Sequence, residues 1–271
     1  MTNKPATVRV GVGGWTFDAW RDDFFPAGLP QKRELEYASR QLSAIEVNGT
    51  FYRLQKPATF AKWRDETPDD FIFSLKAPRF VTQRSVLAEA GEAIERFVGS
   101  GIAELAGKLG PIVWQLPPTH RFEPTDLESF LQLLPKQHAG LPLRHALDVR
   151  HPSFKASAYL ALARRYRVAT VFTDSDDYPS FADITGPFVY CRLMRTEAKR
   201  PEGIAARDLD QIAACANVWR EGLEPAGLPR IEAAPVQVPV RDVFIFFISG
   251  AKEKAPAAAI GLLRRLKPPG R

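Results

Sequence analysis

Eight short stretches of the chain concentrate β-branched and aromatic residues between Gly, Pro, Asp or Asn boundaries. They are VRVGVGGW (8–15), SAIEVN (43–48), FIFSLKA (71–77), PIVWQLP (111–117), RHALDVR (144–150), VATVFTD (168–174), FVYCRLM (188–194) and VFIFFIS (243–249). That pattern predicts strands. Between them, apolar positions recur at helical spacing near 33–41, 58–66, 89–107, 124–134, 156–165, 207–222 and 255–266. Pro57 and Pro256 stand near predicted helix starts, where a missing N–H costs little.

Strands alternating with helices imply parallel strands and right-handed crossovers. Eight such units in 271 residues predict one TIM-type (β/α)8 barrel, a single domain over 1–271 with its core in 7–268. The alternative is an open doubly wound sheet. Two features favour the barrel: no strand opens into a glycine-rich phosphate fingerprint, and polar residues recur at strand ends along the whole chain rather than at one switch point. One unit is expected to be irregular, because DSDDYPSFADIT is too short and too rich in turn residues for a full helix, so the crossover at about 175–187 should lack one. Residues 221–240 are expected to form a long loop before the last strand.

Within a strand, residues two apart share a face. Glu46 and Asn48 then oppose Ile45 and Val47. Ser74 and Lys76 oppose Phe71, Phe73 and Leu75. Asp148 and Arg150 oppose Leu147 and Val149, Thr170 and Asp174 oppose Ala169 and Val171, and Arg192 opposes Val189, Cys191 and Leu193. Gln115 falls near the same strand end. Six strands thus bring a polar or ionised side chain to one end of the barrel, the end where barrel enzymes carry out chemistry. Any one of them is more often a solvated strand tip or a structural ion pair. Buried charges must be paired, and three acids (Glu46, Asp148, Asp174) with three bases (Lys76, Arg150, Arg192) would give formal neutrality. Gly11, Gly13 and Gly14 in the first strand suit either the close approach of a ligand or backbone, or room for bulky neighbours.

Composition narrows the partners. A net charge of +6 and a pI of about 9.4 favour anionic partners. No Lys/Arg block of five or more appears, so a modest cationic excess on a soluble surface is the blander explanation. Cys191 and Cys215 do not make a disulfide framework and suit a reducing compartment. The N-terminus has no apolar signal region, and the longest apolar run, 243–248, is too short to span a bilayer. A cytoplasmic protein without membrane contact is expected; oligomeric state is not legible.

The segments VGVGGWTFDAWRDDFFP (10–26), IEVNGTFY (45–52), the W…P..F.FSLKAP run (63–78), LGPIVWQLPP (109–118), LDVRHPSF (147–154), Thr173-Asp174 and FVYCRL (188–193) resemble, in order and over nearly the whole chain, the domain of unknown function 72, or YecE-like, family. The resemblance implies a TIM-type barrel with a polar pocket and no established reaction. It carries over Trp15, Trp20, Glu46, Asn48, Phe51, Tyr52, Lys76, Gln115, Asp148, Arg150, Asp174 and Arg192. Four departures accompany it. Asp148 stands where a glutamate is usual, Gln83 where a histidine is usual, Met194-Arg195 where His-Gly is usual, and Ile248-Ser249 where Asn-Asn is usual. A changed ligand or weakened chemistry would follow.

Four histidines, His120, His138, His145 and His151, show no zinc spacing. Magnesium or manganese on Glu46, Asp148 and Asp174 would need only oxygen ligands, but Lys76, Arg150 and Arg192 compete for them, so no cofactor is expected. No nucleophile elbow occurs. The leading expectation is an enzyme, hydrolase or lyase/isomerase, acting on a small anionic phosphate or carboxylate. Glu46, Asp148 and Asp174 would move protons, while Lys76, Arg150 and Arg192 bind the anion and Trp15, Asn48, Tyr52 and Gln115 complete the substrate site. The second is nucleic-acid binding or processing, with aromatics near 15–25 and 51–52 as stacking platforms. A glycoside hydrolase-like pair of Glu46 and Asp148 with Trp15, Trp20 and Tyr52 against sugar faces, or an inactive binding protein, completes the alternatives.

Overall fold

All eight expected strands form, and each pairs in parallel with its neighbours in sequence until the last closes on the first. They are β1 (Val8–Gly13), β2 (Ala44–Val47), β3 (Ile72–Lys76), β4 (Leu109–Gln115), β5 (His145–Asp148), β6 (Ala169–Thr173), β7 (Phe188–Leu193) and β8 (Asp242–Phe247). The computed structural model describes residues 6–233 and 239–267. Part of the expected loop at 221–240, and the end of the expected core at 268, lie outside the described residues. The closed singly wound order is that of a TIM-type barrel.

Seven α-helices of eight residues or more cover the described barrel: α1 (Glu34–Gln41), α2 (Pro57–Asp65), α3 (Gly91–Val98), α4 (Pro124–Leu133), α5 (Ser157–Arg165), α6 (Ala206–Arg220) and α7 (Ala255–Leu266). Pro57, Pro124 and Pro256 occupy the first turn of their helices. The helix expected over 89–107 is shorter than its pattern. It stops at Val98, and a 3-10 segment takes over at Ile102–Lys108, because Gly101 adopts φ 108°, a conformation a helix cannot hold. Between Thr173 and Phe188 there is no helix, as expected. No described helix is long and apolar enough to cross a membrane.

The barrel interior is layered. Ala44, Val113, Ala146, Ala169, Val171, Phe188, Tyr190, Phe244 and Phe246 form an apolar cluster of their own, separate from the larger one between strands and helices. At the N-terminal end Arg144 lies 4.9 Å from the Phe244 ring centre and pairs with Asp242 at 3.1 Å. That end thus carries its own ion pair, while the buried carboxylate–guanidinium cluster collects at the other mouth. Gly11 is required by the wall itself. A Cβ there would fall 1.8 Å from the Ala44 carbonyl oxygen, so close backbone approach, not a ligand, explains it.

Candidate functional site

Alternation along the strands delivers five of the expected side chains inward at the C-terminal mouth, Arg192 of β7 among them. Glu46 is the third residue of β2, Lys76 ends β3, Gln115 ends β4 and Asp148 ends β5. Gln115 is in register with Asp148, and Arg192 of β7 with Phe246 of β8 and Thr173 of β6. Arg150 follows β5 by two residues and turns back over it.

Arg192 is the hub. Its Nε and NH2 donate to Glu46 Oε2 and Oε1, both at 3.0 Å, and its NH1 donates to Gln115 Oε1 at 3.0 Å and to Asp148 Oδ2. Burial works against this charge, yet Glu46 and then Asp148 outweigh it and hold the guanidinium above its ordinary range. Glu46, wholly buried, accepts a further bond from the Tyr190 hydroxyl at 2.8 Å, and Ser74 Oγ lies 2.7 Å from that hydroxyl. Burial first, and the Glu46 charge second, push Tyr190 well above its ordinary value, so it stays a neutral donor. Neither Tyr190 nor the supporting role of Ser74 was singled out from sequence. Tyr190 stands two residues before Arg192 on the same face, which was the available signal.

Arg150 is less committed. Nε and NH2 donate to Asp148 Oδ2 at 3.2 and 3.0 Å, and NH2 also to Gln115 Oε1 at 2.9 Å. A guanidinium has five N–H groups, and among the described residues those on NH1 have no acceptor. Its face lies 4.2 Å from the Tyr178 ring centre, a contact from the irregular crossover that sequence did not suggest. Every bond to Asp148 falls on Oδ2, so among the described residues Oδ1 accepts none. Lys76 Nζ sits 4.0 Å above the Phe51 ring centre and donates to no oxygen among the described residues. Burial, then the Arg192 charge, lower its pKa to about 8.

These groups line or underlie an open cavity of about 840 Å³ bordered by Asn48, Tyr52, Lys76, Gln115, Arg150, Tyr178 and Arg192. The departures from the family pattern border it too: Gln83, Met194, Ile248 and Ser249. Asn48 fills the space beside Gly13, where a Cβ would come 2.9 Å from its amide nitrogen.

Two expected residues are not brought into this cavity. Asp174 is a correction. In β6 the inward residues are Ala169 and Val171, whereas Thr170 faces outward to Tyr159 and Thr185. Asp174 instead accepts from the Met194 backbone N–H at 2.6 Å, and burial raises its pKa. The three carboxylates considered for magnesium or manganese are therefore not assembled, and no group of three or more His, Cys, Asp or Glu with metal-holding geometry occurs among the described residues. Trp15 is the second correction. Half-buried, its ring packs edge-on against Trp63 at 5.1 Å and lies against the hydrophobic core. Trp20 is wholly buried and donates to the Lys252 carbonyl. Of the aromatics proposed for stacking, Tyr52 alone is largely exposed, at 66%.

With Asp174 removed the expected neutrality fails. Two acids (Glu46, Asp148) face three bases (Lys76, Arg150, Arg192), a formal excess of one positive charge when Lys76 is protonated. Among the described residues, Lys76 and Arg150 are the two of these bases that keep donors without an acceptor.

Comparison with known proteins agrees with the fold. The chain is 30% identical over 152 residues to UPF0759 protein YecE of Escherichia coli (strain K12), a match covering 55% of this chain and 50% of that protein. The chain thus matches about half the length of that relative. A crystal structure of a DUF72 family protein from Thermotoga maritima MSB8 superposes with a TM-score of 0.73 at 20% identity, covering 96% of this chain and 99% of that one. One from Enterococcus faecalis V583 gives 0.70 at 14% identity, covering 96% and 95%. Both likenesses concern the fold. The family model described as "Protein of unknown function DUF72" matches residues 9–271, and the chain belongs to that family.

Proposed function

We propose that the protein is an enzyme acting on a small anionic molecule, a phosphate or carboxylate, held at the C-terminal mouth of the barrel. The observation that carries this reading is the pair of unused cationic donors, Lys76 Nζ and Arg150 NH1, bordering one cavity above a carboxylate with a free oxygen, Asp148 Oδ1. A planar guanidinium with one edge anchored and the other open is preorganised for an oxyanion. Asp148 Oδ1 is the proton carrier in this scheme. Glu46 is a positioning group, because both its oxygens are taken by Arg192 and Tyr190. Arg192 is likewise positioning: at 3% exposure it holds Glu46, Asp148 and Gln115 together instead of meeting the substrate.

The nucleic-acid reading keeps the basic charge but loses Trp20, buried in the core, and finds Trp15 half-buried with its ring packed against the core. The sugar-binding reading is weakened at the same two rings.

Thermal unfolding against phosphorylated sugars, nucleotides, small carboxylates, neutral oligosaccharides and short oligonucleotides tests the proposal, with wild type beside Arg150→Ala. A ligand at a hundredfold excess over its Kd stabilises by about 2.7 kcal/mol, a shift of several degrees. The expected result is such a shift with a small anion, lost in Arg150→Ala. A shift with oligonucleotides alone, fading with salt and indifferent to Arg150→Ala, would overturn it.

A further inference from the structure

Lys76 has an environment that anion binding by itself does not require. Its side chain leaves the end of β3, passes the ring of Phe51 and ends in the cavity. The single helical turn carrying Phe51 (Gly49–Tyr52) is fastened to the same strand, because the buried Thr50 hydroxyl donates to the Lys76 carbonyl at 2.7 Å. The ring and the amine are therefore held by one local unit. The nearest carboxylates do not claim the amine. Both oxygens of Glu46 already accept from Arg192 or Tyr190, and the three donors on Asp148 come from the two arginines. A structural lysine this buried (8% exposed) ordinarily finds an acceptor, as Lys108 does on the Arg64 and Thr67 carbonyls at 2.6 and 2.7 Å.

We propose that Lys76 is a nucleophile that forms an imine with a small carbonyl compound whose carboxylate or phosphate is held by Arg150. This rests on the anion pocket proposed above and narrows its substrate class to carbonyl-bearing anions. The amine nitrogen attacks the carbonyl carbon, and the π electrons move to the oxygen. That oxygen leaves as water, with one proton from the amine and one from Asp148 or solvent, and a protonated imine remains on Nζ. The chemistry needs the neutral amine, and desolvation beside two guanidinium groups is a known way to supply it. Burial and the Arg192 and Arg150 charges bring its pKa down to about 8. A protonated imine adds no charge beyond that of the lysine it replaces, so the two arginines need not move. The freed proton-carrying oxygen of Asp148 would then serve bond cleavage or isomerisation at the adjacent carbon, in line with the lyase/isomerase branch of the reading.

Borohydride trapping on the full chain decides it. The protein is incubated with pyruvate, glycolaldehyde phosphate, or the neutral controls acetone and glycolaldehyde, then reduced, digested and mapped by mass. The expected result is labelling of Lys76 by an anionic probe at least tenfold above any other lysine. It should fall about tenfold in Arg150→Ala or under excess inorganic phosphate, and be absent at this position in Lys76→Arg. Equal labelling by the neutral controls, or no preference for Lys76, overturns the imine. If phosphate or pyruvate still raises the Tm in that case, the anion pocket stands and this step alone falls. If neither raises it, both fall.

Discussion

Arg192 and Glu46 clasp each other across the barrel mouth through two parallel bonds of 3.0 Å, although their strands β7 and β2 are separated in the wall by β8 and β1. This clasp ties opposite parts of the wall at the layer where apolar packing ends. Arg192→Met would leave Glu46 buried with only the Tyr190 hydroxyl and would remove one partner from Asp148. Breaking a buried pair in this way costs about 3–5 kcal/mol, and a large fall in urea midpoint is expected. Glu46→Gln combined with Arg192→Met should lose less than the sum of the singles, since the orphaned charge disappears with its partner.

Tyr190→Phe removes one hydroxyl from the same network, and with it the contacts to Glu46 at 2.8 Å and Ser74 at 2.7 Å. The ring contacts with Phe244 and Phe246 at 6.3 and 5.2 Å survive the change, and Ser74 keeps the Pro111 carbonyl at 2.8 Å. The main loss is a neutral donor to a carboxylate, about 1.5–3 kcal/mol, together with the weaker neutral contact to Ser74. Chemical unfolding should show that loss with an unchanged m-value, because the surface exposed on unfolding is the same.

The barrel was legible because strand spacing and parallel crossovers are local properties, and on β2, β3, β5 and β7 the parity of Glu46, Lys76, Asp148 and Arg192 followed from period two alone. Asp174 departs from the expectation because parity tells which residues share a face but not which face turns inward. Below the mouth the interior is apolar and narrow, so Ala169 and Val171 belong inside, while Thr170 finds Thr185 and Tyr159 outside. The tryptophans were misjudged for a related reason. An aromatic near a strand end can fill the shoulder between strand and helix as readily as the cavity, and in Trp15 the choice was made by Trp63, far along the chain. Tyr178 over Arg150 was invisible because an irregular crossover has no periodicity to read.

Gly11→Ala tests the closure of β1 on β2. The added methyl would meet backbone, 1.8 Å from the Ala44 carbonyl oxygen and 2.6 Å from its carbon, and neither can give way without opening the strand pair. Loss of several kcal/mol, or of soluble expression, is expected. Gly14→Ala has open space but φ +77°, so its penalty should stay near 1–2 kcal/mol. Thermal melts of the two side by side separate overlap from backbone strain.

Asp148 and Asp174 should part company on substitution. Asp148→Asn removes the charge facing both arginines, and turnover or ligand affinity should fall at least tenfold once a ligand is in hand. Asp174→Asn keeps an acceptor for the Met194 N–H outside the cavity and should change affinity less than twofold, with a stability change of about 1 kcal/mol. Equal loss in both variants, measured by calorimetric titration with the ligand from the thermal panel, would return Asp174 to the site.

Lys76 carries a pH signature. Burial and the neighbouring arginines bring its pKa from an ordinary 10.5 to about 8 in the folded chain. Below pH 8 both folded and unfolded chains hold the proton, and the folded state bears the full penalty of a desolvated charge. Between about pH 8 and 10.5 the unfolded chain binds more proton than the folded one, so this group makes stability rise with pH; above that window the penalty is gone. Lys76→Met keeps the apolar stem over Phe51 and removes the charge. It should therefore be more stable than wild type at pH 7 by roughly 1–3 kcal/mol, with the advantage shrinking steadily from pH 8 to 10.5. Urea unfolding of both proteins at pH 7, 8.5 and 10 measures the difference directly. An advantage for Lys76→Met that did not change with pH would mean that the amine is not desolvated in the folded chain.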